Sequence, residues 1–240
     1  MRTPFGCASN KKKVAKQINL ASVASRPRIS GENFFDLMIE KEQIMSRIAT
    51  IERNTKETQI KAVLGIDGTG KSEISSGIGF FDHMLDGFAR HGLFDLTLDV
   101  TGDLNVDGHH TVEDTGIVLG QAIREAIGDK TGIRRYGSFI LPMDDALCLC
   151  AIDLSGRPYF VFDCNFPTEQ VGGLETELVR EFFYAVSYSA GMNLHVKMMH
   201  GDNTHHMIEA MFKAFAKALD MATSYDERIT GVLSTKGTLS

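Results

Sequence analysis

Hydrophobic positions recur along this chain with two periods. Ile60, Ala62, Leu64 and Ile66 alternate with polar or small residues, the spacing of a strand with one buried face. A second short strand fits residues 72–78. Phe81, Met84, Leu85 and Phe88 then fall at i, i+3, i+4 and i+7, so they line one side of a helix that Gly92 closes. Phe94, Leu96, Leu98 and Val100 alternate with Asp95, Thr97 and Asp99, a strand again. After His109-His110 a helix reaches Ile127 and ends at Gly128.

The second half repeats this order. Residues 146–154 and 159–163 read as strands joined by the turn Ser155-Gly156-Arg157-Pro158. Leu178, Phe182 and Phe183 begin a helix that ends near Gly191. Met192, Leu194, Val196 and Met198 alternate as a strand. His205-His206 opens a helix whose Ile208, Met211, Phe212, Phe215 and Leu219 form one apolar stripe. Each half therefore reads strand, strand, helix, strand, His-His-x-x-Glu, helix, which is an internal duplication. Half-buried strands and one-faced helices predict an α+β fold. The expected form is a two-layer α/β sandwich of two duplicated half-domains, about 48–138 and 139–240, each a largely antiparallel sheet covered by helices.

Composition narrows the partners. Hydrophobic residues are 43% of 240, enough for a real core, and charged residues are 23%. The formal charge is −6 and the body of the chain has no Lys/Arg cluster, which excludes nucleic acid as the main partner. No apolar run reaches about 18 residues, so no membrane span is expected. Cys7, Cys148, Cys150 and Cys164 form no C-x-x-C pair. They read as reduced thiols of a cytoplasmic protein, so a metal here would be held by nitrogen and oxygen.

The lead is different in kind. The first 31 residues hold seven Lys/Arg and no acid. They could be a transit peptide, in which case the destination is a plastid. The alternative, preferred here, is that Lys41-Glu42 is a translated ribosome-binding sequence and the working protein starts at Met45. Residues 1–44 are then an extension outside the fold, and 45–240 are the domain.

The chemistry lies in the repeated motif His109, His110, Glu113 and His205, His206, Glu209. On a helix the first His and the Glu are i, i+4, on one face. Neighbouring histidines diverge by about 100°, so they serve two ions better than one. Two copies supply four histidines and two carboxylates. Such a donor set without thiolate suits octahedral Mn²⁺ or Fe²⁺ more than structural Zn²⁺. His83, on the preceding helix with His91, is a further candidate ligand; His195 and His200 are left outside the site.

One motif is a decoy. Gly65-Ile66-Asp67-Gly68-Thr69-Gly70-Lys71-Ser72 satisfies the phosphate-loop spacing. That loop needs a helix directly after Lys-Ser. Here Glu73-Ile74-Ser75-Ser76-Gly77 follows, which reads as a strand, and Asp67-Gly68 is a turn signal.

Several stretches resemble one family. Arg53-Asn54-Thr55-Lys56-Glu57-Thr58, residues 77–85, Gly108-His109-His110-Thr111-Val112-Glu113-Asp114, Asn203-Thr204-His205-His206-Met207-Ile208-Glu209-Ala210 and Leu233-Ser234-Thr235-Lys236-Gly237 are similar to imidazoleglycerol-phosphate dehydratases. The resemblance runs from about residue 48 to the end. It implies dehydration of D-erythro-1-(imidazol-4-yl)glycerol 3-phosphate to 3-(imidazol-4-yl)-2-oxopropyl phosphate in histidine biosynthesis. Two Mn²⁺ per site would hold the substrate ring as imidazolate, in a homo-oligomer of 24 subunits with sites between them. Carried over by position, one ion would use His83, His110, Glu113 and His205 or His206, and the other the remaining histidines with Glu209; the partition stays open. Glu57 matches the acid–base glutamate and His91 a substrate-pocket histidine. Arg135, Arg157, Ser234, Thr235 and Lys236 match the phosphate-binding set, and Lys213 lies one turn after Glu209.

Two departures stand out. Gly108 replaces the family's usual Asp, leaving Asp107 to supply a carboxylate behind the histidines. Glu181 stands where some members carry a metal-binding His, within a residue of the position equivalent to His83, and is included as a ligand. A di-metal phosphoesterase and a metal-stabilised shell are the competing readings; Glu57 and the cationic positions argue against the shell.

Overall fold

The computed structural model describes residues 47–239. The expected extension 1–44 and Cys7 lie outside them. Four strands come first: β1 (Ile48–Asn54), β2 (Thr58–Gly65), β3 (Ser72–Ser75) and, after helix α1 (Gly79–Gly92), β4 (Asp95–Gly102). Helix α2 (His109–Ile127) completes the first half. The second half gives β5 (Tyr136–Met143), β6 (Ala146–Asp153), β7 (Tyr159–Asp163), a small hairpin β8 (Gln170–Val171) and β9 (Leu174–Glu175), α3 (Glu177–Ala190), β10 (Asn193–His200) and α4 (Thr204–Thr223).

The duplication extends to topology. The first sheet runs β1-β2-β4-β3 and the second β5-β6-β10-β7. In each, two antiparallel pairings are followed by one parallel edge strand, β3 on β4 and β7 on β10. Each four-stranded sheet therefore holds one strand more than the periodicity predicts, β1 and β5, and the short β8–β9 hairpin is a further addition in the second half. Both are sheet edges. An edge strand buries less of its face, so its alternation is weaker. Because β5 begins at Tyr136, the second sheet starts slightly before residue 139.

Each sheet buries one face under two helices, and the helices of the two halves meet. Helix α2 lies on β1 and β2 and along α3; α4 lies on β5 and β6 and against α1. The seam is aromatic. Phe182 stacks on Phe212 at 5.2 Å, Phe81 meets Phe182 edge-on at 5.3 Å, and Phe88 stacks on Phe215 at 5.4 Å. Each such ring contributes about 1.5–3 kcal/mol by leaving water. Helices α2 and α3 come closer than side chains allow. A Cβ at Gly116 would sit 2.7 Å from the Phe182 carbonyl oxygen, and one at Gly120 2.6 Å from that of Val186. Glycine is required there by the close approach.

The phosphate-loop spacing is a turn. The strand β3 follows it, and the loop amides of Thr69 and Lys71 donate to the Asp95 carboxylate at 2.8 and 3.0 Å. The chain's own anion occupies the donors a phosphate would need. Cys148 and Cys150 project to one face of β6 and are fully buried; with Cys164 they are free thiols. No helix among the described residues is long and apolar enough to cross a membrane.

Candidate active site

Both motifs open a helix. Asp107 accepts the His109 amide at 2.8 Å, and the Asn203 side chain accepts that of His206 at 3.3 Å. These contacts satisfy amides that the first helical turn leaves unpaired. The adjacent rings diverge as helical geometry demands: planes 86° apart for His109 and His110, and 77° for His205 and His206. The first His of each pair faces its own Glu. His109 Nε2 is 3.7 Å from Glu113 Oε2, and His205 Nε2 is 3.3 Å from Glu209 Oε2.

Among the described residues, one set of three metal-donor side chains converges: His83, His205 and Glu209, with one ligand atom of each within 4.8 Å of the others. Octahedral ligands at about 2.1 Å from an ion lie about 3–4.2 Å apart, so small side-chain adjustments would seat a cation there. The donors are imidazole and carboxylate, a set that fits Mn²⁺. They come from opposite halves, because α1 of the first packs on α4 of the second. Lys213 Nζ meets Glu209 Oε1 at 2.7 Å. Burial works against ionisation of Glu209, but Lys213, His83 and His205 together hold its carboxyl below the usual range. His91 is pushed down by burial and by the Lys213 charge.

The equivalent cluster in the other direction is open. Glu181 is the fifth residue of the 14-residue α3, as His83 is of the 14-residue α1, so the repeat aligns them. Glu181 is paired with Arg180 at 2.7 Å instead of gathering with His109 and Glu113.

The second His of each pair is backed by an acid that sequence reasoning missed. His110 Nδ1 lies 3.0 Å from Asp103, and His206 Nδ1 2.6 Å from Asp145. Each contact raises the imidazole above its ordinary pKa. Asp107 does not take this role, contrary to expectation: it is spent on the helix amide, and Asp103, at the end of β4, reaches the ring. No local spacing signals either acid. On its other side His110 faces Glu57, Nε2 to Oε2 at 3.9 Å. Glu57 sits at the tip of the β1–β2 hairpin. Asp114, buried at 6% exposure, anchors that hairpin by pairing with the Arg53 guanidinium, Nη2 to Oδ1 at 2.9 Å, and by accepting Thr58 Oγ1 at 2.5 Å. Arg53 and Asp114 stand inside the quoted motifs, but only tertiary contact reveals their joint task.

A cavity of about 740 Å³ brings together Arg135, Arg157, Arg228, Ser234, Thr235 and Lys236. Arg135 is fixed there by Asp153, at 2.7 and 3.0 Å, and donates to the Leu233 carbonyl at 2.8 Å. Three guanidiniums, an ammonium and two hydroxyls suit a phosphate. Arg228, absent from the expected set, is held by Asp226 at 2.8 Å. None of the motif histidines lines this cavity.

The family model described as imidazoleglycerol-phosphate dehydratase matches residues 76–219. An imidazoleglycerol-phosphate dehydratase of Lachnoclostridium phytofermentans is 66% identical over 195 residues, 81% of this chain and 100% of the relative. The one from Geobacter sulfurreducens is 61% identical over the same shares. The crystal structure of the Staphylococcus aureus enzyme aligns with a TM-score of 0.68 at 41% identity, covering 75% of this chain and 99% of that one. The Pyrococcus furiosus enzyme, in complex with (S)-C348, aligns with a TM-score of 0.69 at 39% identity, covering 79% and 100%.

Proposed function

The chain belongs to the imidazoleglycerol-phosphate dehydratase family, and from that membership we propose that it converts D-erythro-1-(imidazol-4-yl)glycerol 3-phosphate to 3-(imidazol-4-yl)-2-oxopropyl phosphate. It is a hydro-lyase of histidine biosynthesis. The observation that carries the reading is the convergence of His83, His205 and Glu209 from the two halves of a duplicated motif.

In the reaction a C–H bond and the neighbouring C–O bond break, hydroxide leaves as water, and the enol formed becomes the ketone. The C–H proton is not acidic alone: electrons of the deprotonated ring first expel the hydroxyl from the carbon that bears the ring, and the ring then takes back the electron pair left when the neighbouring C–H proton departs. Two Mn²⁺ ions per site would supply the positive charge that favours the deprotonated ring. His83, His205 and Glu209 would hold one. His109, His110, Glu113, Glu181 and His206 are the remaining donors. Glu57, on its anchored hairpin, takes up and returns the proton. Arg135, Arg157, Ser234, Thr235 and Lys236 receive the phosphate, while His91 and Lys213 border the Glu209 side.

The triad offers an ion only part of an octahedral shell, and the phosphate cavity stands apart from the motifs within one chain. A homo-oligomer of 24 subunits, with sites between copies, would bring the parts together. The test is turnover of Mn²⁺-loaded protein on the imidazoleglycerol phosphate. The dehydrated ketone should accumulate without inorganic phosphate; phosphate release without the ketone would defeat the reading in favour of a phosphoesterase.

A further inference from the structure

Asp145 does two jobs at once. Its Oδ1 lies 2.6 Å from His206 Nδ1. Its Oδ2 accepts the amides of Asp202 at 2.7 Å and Asn203 at 2.8 Å. The β5–β6 hairpin, which carries Asp145, is thereby tied to the segment that enters α4. In the first half, Asp103 stands behind His110 Nδ1 with its two oxygens at 3.0 and 3.2 Å. An ionised carboxylate only accepts, so Nδ1 must donate in both rings. When the ring is neutral, Nε2 then carries the free lone pair.

We propose that Asp103 and Asp145 are positioning residues, which fix the tautomer and aim of His110 and His206 so that Nε2 of each is presented as a metal ligand. The identity of what Nε2 meets rests on the proposed metal-dependent function; the tautomer does not. A carboxylate behind a ligating histidine also fixes ring orientation and raises ligand basicity.

The isosteric change Asp145→Asn separates this role from mere packing. The two amides require an acceptor, so the Asn oxygen must face them. Its NH₂ is then turned to His206 and donates to Nδ1. The ring proton moves to Nε2 and blocks ligation. Asp103→Leu removes the acceptor behind His110 without touching the hairpin.

The experiment is solid-state ¹⁵N NMR of histidine-labelled, metal-free protein at a pH where the rings are neutral, with His206→Gln used to assign the signal. It is paired with Mn²⁺ titration followed by electron paramagnetic resonance. Wild type should show His206 protonated at Nδ1, and Asp145→Asn at Nε2. Mn²⁺ affinity should fall about 10–100-fold in both Asp145→Asn and Asp103→Leu, and Asp145→Glu should recover part of it. His206 protonated at Nδ1 in Asp145→Asn, or wild-type Mn²⁺ affinity in either variant, would overturn the proposal. If Asp145→Asn does not fold, the Asp103→Leu affinity decides. Wild-type protein that binds no Mn²⁺ would overturn the metal reading itself, with the tautomer difference still standing.

Discussion

Asp114→Ala should both destabilise the protein and disarm it. The carboxylate pairs with Arg53 and accepts from Thr58, and these two residues flank the hairpin tip that carries Glu57. Alanine leaves the Arg53 guanidinium facing a hole, and its Nε already lacks a partner. Breaking a buried pair from one side costs about 3–5 kcal/mol. The Arg53 side chain is 36% exposed, so water recovers part of this. The expected loss is about 2–3 kcal/mol. At about 2–4 °C per kcal/mol for a domain of this size, Tm should fall by about 5–10 °C. The assay is thermal unfolding at fixed Mn²⁺ and protein concentration, since ligand and assembly shift Tm by mass action. Turnover is measured on the same sample. It should drop in kcat more than in KM, because the hairpin that aims Glu57 is loosened while the phosphate cavity is untouched. Asp114→Asn keeps one acceptor and should lose less. An Asp114→Ala protein with wild-type Tm and kcat would refute the anchoring argument.

Three further outcomes follow from the geometry. Lys71→Ala should leave turnover unchanged, and the protein should bind no nucleoside triphosphate by calorimetry, because Asp95 already occupies the loop amides; nucleotide binding lost in Lys71→Ala would contradict this. Burial pushes the Cys148 and Cys164 thiols up to about 12 and holds that of Cys150 well above its ordinary value. Cys148 and Cys150 should resist alkylation at pH 8 in the native protein and react on denaturation, which mass spectrometry reads site by site; rapid native labelling of either would contradict the packing of β6. The Arg47 guanidinium beside Asp67 holds that carboxyl below its ordinary value. A depressed carboxyl stabilises the fold above its unfolded pKa, near pH 4, and that stability is lost as pH falls through the folded value. Asp67→Asn should therefore be less stable than wild type at pH 7, with the gap closing in acid; a gap that widens in acid would reverse the sign.

The central elements were legible because their periodicity is produced by burial itself. Phe94 to Val100 alternate, and they bury one face of β4. His109 opens α2 and Gly128 ends it, as the spacing predicts. What escaped was set by long-range contact. Strands β1 and β5 lie at sheet edges, and β5 carries Gly137 and Pro142, which obscure its period. Gly137 is there because a Cβ would come within 1.9 Å of the Ala218 carbonyl oxygen on α4. The twin motif was readable from repetition alone. That His83 joins Glu209 was not, since it depends on α1 crossing to α4. The acids behind the histidines have no fixed spacing: Asp103 is seven residues before His110, and Asp145 is 61 before His206.

A metal site built by the twin motif and served by Glu57 underlies the proposed dehydration. Metal content and turnover of wild type and Glu57→Gln, prepared side by side with Mn²⁺, test it most directly. Glutamine keeps the hairpin and removes no metal donor, so both proteins should hold the same metal. Only the variant should lose activity, by several orders of magnitude, consistent with removal of a general base worth about 10²–10⁴-fold. Near-normal turnover of Glu57→Gln, or active wild-type protein stripped of metal, would contradict the account.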